Sequence, residues 1–397
     1  MAVIEATLEA SAQRSDAKRR TPYRRQTAAA VLAQAAALFC VASAIAYFAH
    51  NVSLNLKARG LVSGFDFLWR EAGFGIGFSV IPFSETDSYA RALLVGLTNT
   101  LLVAGVALIL ATLLGVVIGV ARVARHAPTA AAARAYVELL RNIPLLVLVL
   151  FSHQLLINRL PPVRESLSLG DWIYLNNRGL VLPSMASGNL AVPFILFLAV
   201  IATCAALLAT WMHRNLAIST RRTVAISLCA FLAAELFVAV FALDWRKPTL
   251  AGFNFRDGLT LVPEFVALAS ALIIYNAAFI AEIVRAGIES VSRGQREAAA
   301  ALGLPSGLLM RLIILPQALR VIIPPLANQY SHLLKASSLA TVIGYPDLVN
   351  VFLGTSLNQT GRAIEIVTIT MAIYLALGGA IAAFTSWFNR RMALVER

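Results

Sequence analysis

Two acidic–basic pairs lie three residues apart within otherwise apolar stretches of the sequence. Glu138 and Arg141 form one pair, and Glu282 and Arg285 form the other. Residues three apart share one face of a helix, so the members of each pair can contact each other. A charge inside an apolar span is costly, and it therefore marks a contact that fixes helix packing or a group that gates or touches a substrate. Both interpretations stay open for both pairs.

A further carboxyl group, Glu235, lies in the middle of an apolar stretch with no basic residue near it in sequence. Such a group can relay protons. It can equally be a structural carboxyl, held by hydrogen bonds and protonated. The sequence does not choose between the two.

Uncharged polar residues cluster in two other apolar stretches. Thr98, Asn99 and its neighbour Thr100 form one cluster, which can hydrogen-bond neighbouring helices or line a cavity. In the second cluster, polar residues fall on one helical stripe at spacings of three and four. This stripe and the residues that follow it comprise Asn328, Ser331, Lys335, Ser337 and Ser338. Amide, hydroxyl and ammonium groups in one stripe suit the binding of a zwitterion, or they join helices.

The composition excludes several classes of function. With 59% hydrophobic and 13% charged residues among 397, the sequence indicates a multi-pass membrane protein, because soluble domains carry about 25% charged residues. The formal charge of +13 does not indicate nucleic-acid binding, since the basic residues lie between apolar stretches. The cysteines and histidines form no metal motif, and no lysine follows a glycine as a phosphate-binding loop requires. We therefore predict no metal, no bound cofactor and no ATP site in this chain.

One segment, residues 295–316, is polar enough to lie outside the membrane. Its first part is rich in helix formers, and Gly303 and Pro305 then end the helix. Glycine tolerates left-handed backbone, and proline cannot continue a helix. Ser306 can cap a second short helix, and Pro316 suits the first turn of a third. We predict a short helix, a sharp turn and a second short helix before the chain returns to the membrane.

Eight apolar stretches have the length of about 20 residues that a membrane crossing needs. They are residues 27–48, 92–120, 135–157, 190–212, 223–243, 263–285, 317–334 and 363–388. A secretory signal is the alternative for the first stretch, but that stretch is longer than a signal core of about 7–15 residues. The sequence thus predicts an all-α polytopic membrane protein with eight transmembrane helices.

The basic residues also orient the chain. With the N-terminus in the cytoplasm, most of the 33 lysines and arginines fall on the inner side, as the positive-inside rule requires. Eight spans then bring the C-terminus to the same side. The polar segment 295–316 also becomes cytoplasmic, where it can present a surface to a soluble partner.

The spacing within the polar segment is specific. It reads Glu297-Ala298-Ala299, three residues, Gly303, nine residues, Ile313-x-Leu315-Pro316. This pattern resembles the EAA signature of ABC importer permeases, in which the loop forms coupling helices that sit in a cleft of the ATPase subunit. The small alanines allow close approach, Gly303 sets the bend, and Glu297 offers a charge to the partner. An ordinary amphipathic cytoplasmic loop is the alternative.

Three further motifs extend this resemblance. They are Glu138-x-x-Arg141-x-x-Pro144, Ala281-Glu282-x-x-Arg285 and Leu334-Lys335-x-Ser337-Ser338. They resemble permeases of the polar amino acid family, the histidine, glutamine and glutamate type, with Ser337 where threonine is usual. The added helices make the chain most similar to the larger permease of general L-amino acid transporters, which pairs with a second, different permease.

The resemblance implies a division of the chain. The permease core of five helices covers residues 92–158 and 263–388, with the coupling loop at 286–316. The remaining parts are a basic tail (1–27), an extra helix with an external segment (28–91), an insertion with two extra helices (159–262) and a C-terminal tail (389–397).

The family resemblance also implies a function. The chain would be a permease subunit of a type I ABC importer for amino acids in a bacterial inner membrane, working by alternating access, and not itself an enzyme. Two ATPase subunits would hold ATP and Mg²⁺, and a binding protein would deliver substrate at the outer face. The ATPase-docking residues would be Gln295, Glu297, Ala298, Ala299 and Gly303. The candidates for the substrate path are Thr98, Asn99, Glu138, Arg141, Glu282, Asn328, Lys335, Ser337 and Ser338.

Two other classes of function compete with this one. An ion-gradient-driven secondary carrier or a channel for small polar solutes could use Glu235 or Glu282, but such proteins need no EAA loop. The second class is a membrane-embedded enzyme, but the sequence contains no nucleophile, metal or cofactor motif that would support it.

Overall fold

The computed structural model describes residues 22–58, 64–185, 218–237 and 245–392, together with positions 199 and 203. The chain divides into two compact units, residues 1–65 and 66–397. The first unit contains helix α1 (Pro22–Ala58). Its apolar part, Ala30–Phe48, is long enough to cross a membrane, as predicted for the first span.

The second unit is built around helices α2 (Tyr89–Arg122) and α6 (Pro263–Glu289). Gly115 and Gly119 lie one helical turn apart on α2, and they let α6 approach closely. A Cβ atom added at either glycine would lie 2.7 Å from a side-chain atom of Ile280 or Val284. Both helices correspond to predicted spans, and their contact forms the centre of the buried core.

The third predicted span, residues 135–157, is wrong as a single straight helix. The chain forms α3 (Ala127–Asn142) and α4 (Leu145–Arg159), which meet at an angle of 102°. Pro144 causes the break, because the residue before a proline is driven out of helical conformation. Ile143 accordingly has extended backbone, with φ −92° and ψ 128°.

The fourth predicted span, residues 190–212, lies almost wholly outside the described residues. The fifth, 223–243, corresponds in part to α5 (Ile218–Phe237), whose apolar stretch is shorter than a membrane crossing. Within the described part of the chain, five helices are long and apolar enough to span a membrane, or six if α3 and α4 make one span. The predicted number of eight is therefore not reproduced, although the mostly helical fold is confirmed.

A small antiparallel sheet lies within the inserted region and was not predicted. Its strands are β1 (Leu167–Leu169), β2 (Ile173–Asn176), β3 (Gly179–Met185), β4 (Trp245–Arg246) and β7 (Gly258–Leu261). The strand order is β1–β2–β3–β4, and β7 also pairs with β3. Strands β5 (Thr249–Ala251) and β6 (Asn254–Arg256) form a separate hairpin. Backbone hydrogen bonds between β3 and β7 thus join the beginning of the inserted region to its end.

The remaining helices follow α6 in the chain. They are α7 (Arg293–Ala301), α8 (Ser306–Leu309), α9 (Leu315–Ala336), α10 (Leu357–Thr360) and α11 (Ala363–Met392). The segments between α9 and α10 include a 3₁₀ turn, Ser337–Ile343, and a π-helical stretch, Val349–Ser356. Helices α9 and α11 correspond to the last two predicted spans.

Candidate functional site

The predicted coupling segment forms two short helices, α7 and α8, joined by a sharp turn. Gly303 takes left-handed backbone at this turn, with φ +67°. The amide of Gly303 donates to the carbonyl of Ala300, and that of Leu304 donates to the carbonyl of Ala299. These two bonds form a Schellman motif, which satisfies carbonyls at the end of a helix and fixes the direction of the next segment. The turn predicted at Gly303 is therefore confirmed.

The return to the membrane differs from the prediction in one respect. Ser306 does not precede the second helix as a cap but is its first residue, and the carbonyl of Pro305 accepts the N–H of Leu309. The second helix then continues through a π-helical turn, Met310–Ile314, into α9 without a break. Pro316 lies in the first turn of α9, as predicted, directly after the π-helical turn.

The side chains of α7 divide into an outer and an inner set. Gln295, Glu297 and Ala298 are exposed, but Ala299 is 1% exposed and packs against the rest of the chain. Leu302, at the tip of the turn, is 80% exposed. Leu302, which the sequence analysis did not single out, is therefore available for contact with a partner. Ala299, which was predicted to contact the ATPase, is instead buried against the rest of the chain.

The coupling segment is firmly attached at its base. The guanidinium of Arg296 donates to the carbonyl of Ile288 at 2.6 Å, and it thereby joins α7 to the end of α6. Gly287, next to Ile288 on α6, lets α9 approach closely, since a Cβ atom at position 287 would lie 2.2 Å from Ile322 on α9. The segment leaves α6 and enters α9 where these two helices already contact each other, so all three elements are joined at this place.

Glu282 is the centre of a charge cluster near the same end of α6. It accepts hydrogen bonds from Arg122 on α2 and from Arg285 one turn further along α6, and Arg285 also pairs with Glu289. Arg141 on α3 approaches Glu282 at 3.9 Å. The Glu282–Arg285 pair expected from its spacing is therefore present, and it belongs to a larger cluster that joins three helices.

The other expected pair does not form. Glu138 is exposed and makes no ion pair within the described residues. Its backbone carbonyl accepts from the side chain of Asn142. Arg141 instead lies over the ring of Phe279, 5.4 Å from its centroid. Arg141 therefore points towards α6 and away from its neighbour on α3, which the spacing alone could not show.

An open cavity of about 460 Å³ lies beside this cluster. Its lining residues come from α3, α6 and α9: Arg141, Phe279, Glu282, Ile283, Pro325, Asn328, Gln329 and His332. It brings together three of the residues predicted for the substrate path, and it adds Phe279, Gln329 and His332. Pro324 and Pro325 lack the N–H groups that would bond the carbonyls of Arg320 and Val321, and Pro325 itself lines the cavity.

The other predicted path residues lie elsewhere. Lys335 is exposed at the end of α9, and the hydroxyls of Ser337 and Ser338 donate to carbonyls of the preceding turn. Thr98 likewise donates to carbonyls of its own helix. Glu235, buried on α5, accepts a hydrogen bond from Thr203 at 3.3 Å.

Asn99 is fully buried and ties two loops to α2. Its Nδ2 donates to the carbonyls of Phe78 and Pro346 at 2.9 and 2.8 Å, and its Oδ1 accepts the N–H of Val80. The hydroxyl of Tyr345 donates to the backbone carbonyl of Asn99. All the polar atoms of the Asn99 side chain are thus used in holding these loops to the helix.

Residues 111–394 match the protein family described as the inner membrane component of binding-protein-dependent transport systems. The chain belongs to this family. The assignment agrees with the resemblance in the EAA segment, and it makes the chain a permease of the inner membrane that crosses it several times.

Several curated permeases match over most of their length. The chain is 44% identical to the amino-acid ABC transporter permease protein YhdX of Escherichia coli K12, covering 98% of this chain and all of that one. It is 46% identical to the general L-amino acid transport system permease protein AapQ of Rhizobium johnstonii, covering 88% and 89% of the two chains. It is 38% identical to the glutamate/glutamine/aspartate/asparagine transport system permease protein BztB of Rhodobacter capsulatus, covering 92% and 93%.

The permease also contains a buried carboxyl that the sequence did not single out. Asp347 has no exposed surface, and burial raises its pKa from 3.8 to about 7. Its Oδ1 accepts from the N–H of Asn350 and from the hydroxyl of Thr341. Asp347 follows the turn at Gly344, between the apolar stretches, where hydropathy gives no sign of burial.

Proposed function

We propose that this permease is a subunit of an ATP-driven amino acid importer, in which it forms half of the translocation path and binds an ATPase subunit through residues 286–316. The observation that supports this most directly is the rigid segment α7–α8 with Leu302 and Glu297 exposed at its surface. Leu302 would offer an apolar contact, and Glu297 a charged one, to a partner that covers the turn. ATP and Mg²⁺ would be held by the ATPase, because this sequence has no phosphate-binding loop.

Motion at the ATPase would reach the membrane through the base of this segment. The Arg296–Ile288 hydrogen bond and the close contact at Gly287 make α7 move with α6 and α9. Glu282 then connects α6 to α2 through Arg122 and to α3 through Arg141. A displacement of α7 would therefore move α6 and α9 together relative to α2 and α3, and so change the cavity beside Glu282.

The chemistry of this cavity suits an amino acid. The negative charge of Glu282 is already shared by Arg122 and Arg285, whereas Arg141 is 44% exposed and has only a long contact to Glu282. Its guanidinium can bind the carboxylate of a substrate with two parallel hydrogen bonds. Asn328 lies across the cavity and can donate to the same ligand.

Relatives and charge distribution support the remaining parts of the proposal. The curated relatives named above are permeases for amino acids, and the family is defined by dependence on a binding protein. We infer that a binding protein delivers substrate at the outer face and that a second, different permease completes the path. Two ATPase subunits complete the assembly, and both termini of this chain lie in the cytoplasm, as the distribution of basic residues predicts.

The proposal is tested by ATP hydrolysis in liposomes. The chain is reconstituted with its candidate partner permease, ATPase and binding protein, and amino acids are added one at a time. We expect loaded binding protein to stimulate hydrolysis, and we expect Glu297→Lys and Gly303→Asp to abolish this stimulation. Glu165→Gln, an exposed carboxyl outside the segment, is the matched control. Uptake that needs no ATP and follows an imposed proton gradient would contradict the proposal and indicate a secondary carrier.

A further inference from the structure

A second cavity, of about 360 Å³, lies at the opposite end of α6 from the coupling segment. It is bounded by the chain before α2, by the first turn of α6 and by the turns between α9 and α10. Among the lining residues are Phe78, Glu264, Pro346, Asn350 and Thr355. Its volume lies in the range of small-molecule sites.

Glu264 is the one ionisable side chain among the residues that line this cavity. It is 30% exposed and lies in the first turn of α6, where the helix dipole favours a negative charge. His153 on α4 approaches it only to 4.0 Å, which is longer than a hydrogen bond. Among the described residues, the one ion pair of this carboxylate is the long contact with His153, and a carboxylate so weakly paired attracts an ammonium ion.

Neutral donors stand on the same walls. The amide of Asn350 and the hydroxyl of Thr355 are partly buried and line the cavity. Both can donate hydrogen bonds to the carboxylate of a ligand whose ammonium group contacts Glu264. One carboxylate together with two neutral donors matches the two charged ends of a free α-amino acid.

The cavity is also preformed. Asn99 donates to the carbonyls of Phe78 and Pro346, which belong to two different walls. Asp347 accepts from the backbone N–H of Asn350 and so fixes the turn that carries that side chain. Buried hydrogen bonds therefore set the distance between the walls, and a ligand would not have to order them on binding.

The two cavities occupy the two ends of one helix. Glu264 borders this cavity and Glu282 borders the first, so a rise of 1.5 Å per residue along α6 separates the two carboxylates by about 27 Å. That distance is close to the thickness of the hydrocarbon core of a bilayer, about 30 Å. The cavity at Glu264 thus lies on the face at which substrate would enter.

We propose that the cavity at Glu264 is an outer binding site of this permease for a free amino acid, with Glu264 binding its ammonium group. This inference rests on the proposed function, because it takes amino acids as the transported class. Asn99 acts as a positioning residue for the site and does not contact the ligand. The amino acid is held here before it passes to the cavity at Arg141.

The test is direct binding in the absence of the binding protein. The assembled transporter in lipid nanodiscs is incubated separately with radiolabelled L-glutamate, L-glutamine, L-arginine and L-alanine. For the amino acid that binds most tightly, we expect Glu264→Gln to weaken binding by about ten- to a hundredfold, because a charge-assisted contact is lost. Glu264→Asp restores part of the affinity, Glu165→Gln has no effect, and the N-acetylated amino acid does not compete.

Other outcomes overturn the proposal. These are unchanged binding by Glu264→Gln, equal competition by the N-acetylated compound, or no binding of any of the four amino acids to the wild-type transporter. Loss of binding-protein docking with unchanged amino acid binding would assign Glu264 to a protein contact instead. If stimulated ATP hydrolysis persists while Glu264→Gln binds normally, the outer site fails and the proposed function stands. If amino acids bind but ATP never drives uptake, the outer site stands and the proposed function fails.

Discussion

Asp347 gives the permease a pH dependence of stability that follows from its surroundings. Its carboxyl is fully buried, and Oδ2 has no hydrogen-bond partner among the described residues. Burial raises its pKa from 3.8 to about 7, so the folded protein binds this proton more tightly than the unfolded chain does. The free energy of unfolding therefore falls as the pH rises from about 4 to about 7. Above that range the loss amounts to about 4 kcal/mol.

The substitution Asp347→Asn isolates this effect, because it keeps an oxygen that can accept from Asn350 and removes the charge at every pH. We expect the variant to unfold about 5–10 °C above the wild type at pH 8, and close to the wild type at pH 4.5. Thermal unfolding in detergent, followed by tryptophan fluorescence, measures the difference. Asp171→Asn is the control, since Asp171 is exposed and asparagine tolerates its left-handed backbone.

The decisive quantity is the change with pH in the difference between variant and wild type. Other carboxyl groups titrate in both proteins and cancel in this difference. A variant that is less stable than the wild type at pH 8, or a difference that is the same at both pH values, would refute the reasoning. The first result would mean that the charged form of Asp347 has a partner that the fold does not reveal.

Four further substitutions test other parts of the structure. Gly303→Ala should destabilise the protein by about 1–2 kcal/mol through backbone strain alone, since its Cβ would meet nothing within 4 Å; an unchanged unfolding temperature would contradict the left-handed turn. Gly119→Val should abolish the monodisperse peak in size-exclusion chromatography, because its Cβ would lie 2.7 Å from Val284, and a normal peak would contradict the close packing of α2 on α6. Leu302→Asp should keep the unfolding temperature and lose at least half of the stimulated ATP hydrolysis; full stimulation would remove Leu302 from the contact surface. Arg141→Ala should raise KM for uptake about tenfold or more with a smaller change in kcat, and an unchanged KM would exclude its contact with substrate.

Much of the helical framework could be predicted because its signals are local. Hydropathy located α2, α6 and α11 within a few residues, and the Gly303–Pro305 pair marked the turn of the coupling segment. The break between α3 and α4 also has a local signal, Pro144, but composition alone made the stretch look continuous. A single proline can break a helix inside an apolar stretch that is long enough to cross a membrane, because it removes a helical hydrogen bond and restrains the preceding residue.

The contacts that define the candidate site are not local. Arg122 and Glu282 are 160 positions apart, so spacing could suggest only the pair of Glu282 with Arg285. Arg141 was expected beside Glu138 for the same reason, and only the packing of α3 on α6 turns it towards Phe279. The exposure of Leu302 and the burial of Ala299 depend on which face of a short helix meets the rest of the chain. From the sequence alone, Leu302 would be expected in the interior and Ala299 at the docking surface.

The pairing of β3 with β7 has a consequence for how this permease tolerates change. Leu180 lies opposite Leu261, and Pro183 lies opposite Gly258. Paired positions in an antiparallel ladder are only about 5 Å apart, so the chain that departs after Pro183 comes back beside its point of departure. The ladder therefore holds the two ends of the intervening segment side by side. A two-residue hairpin can join position 183 to 258 without moving either strand, so a chain shortened in this way would show whether the helical core needs the intervening segment to assemble.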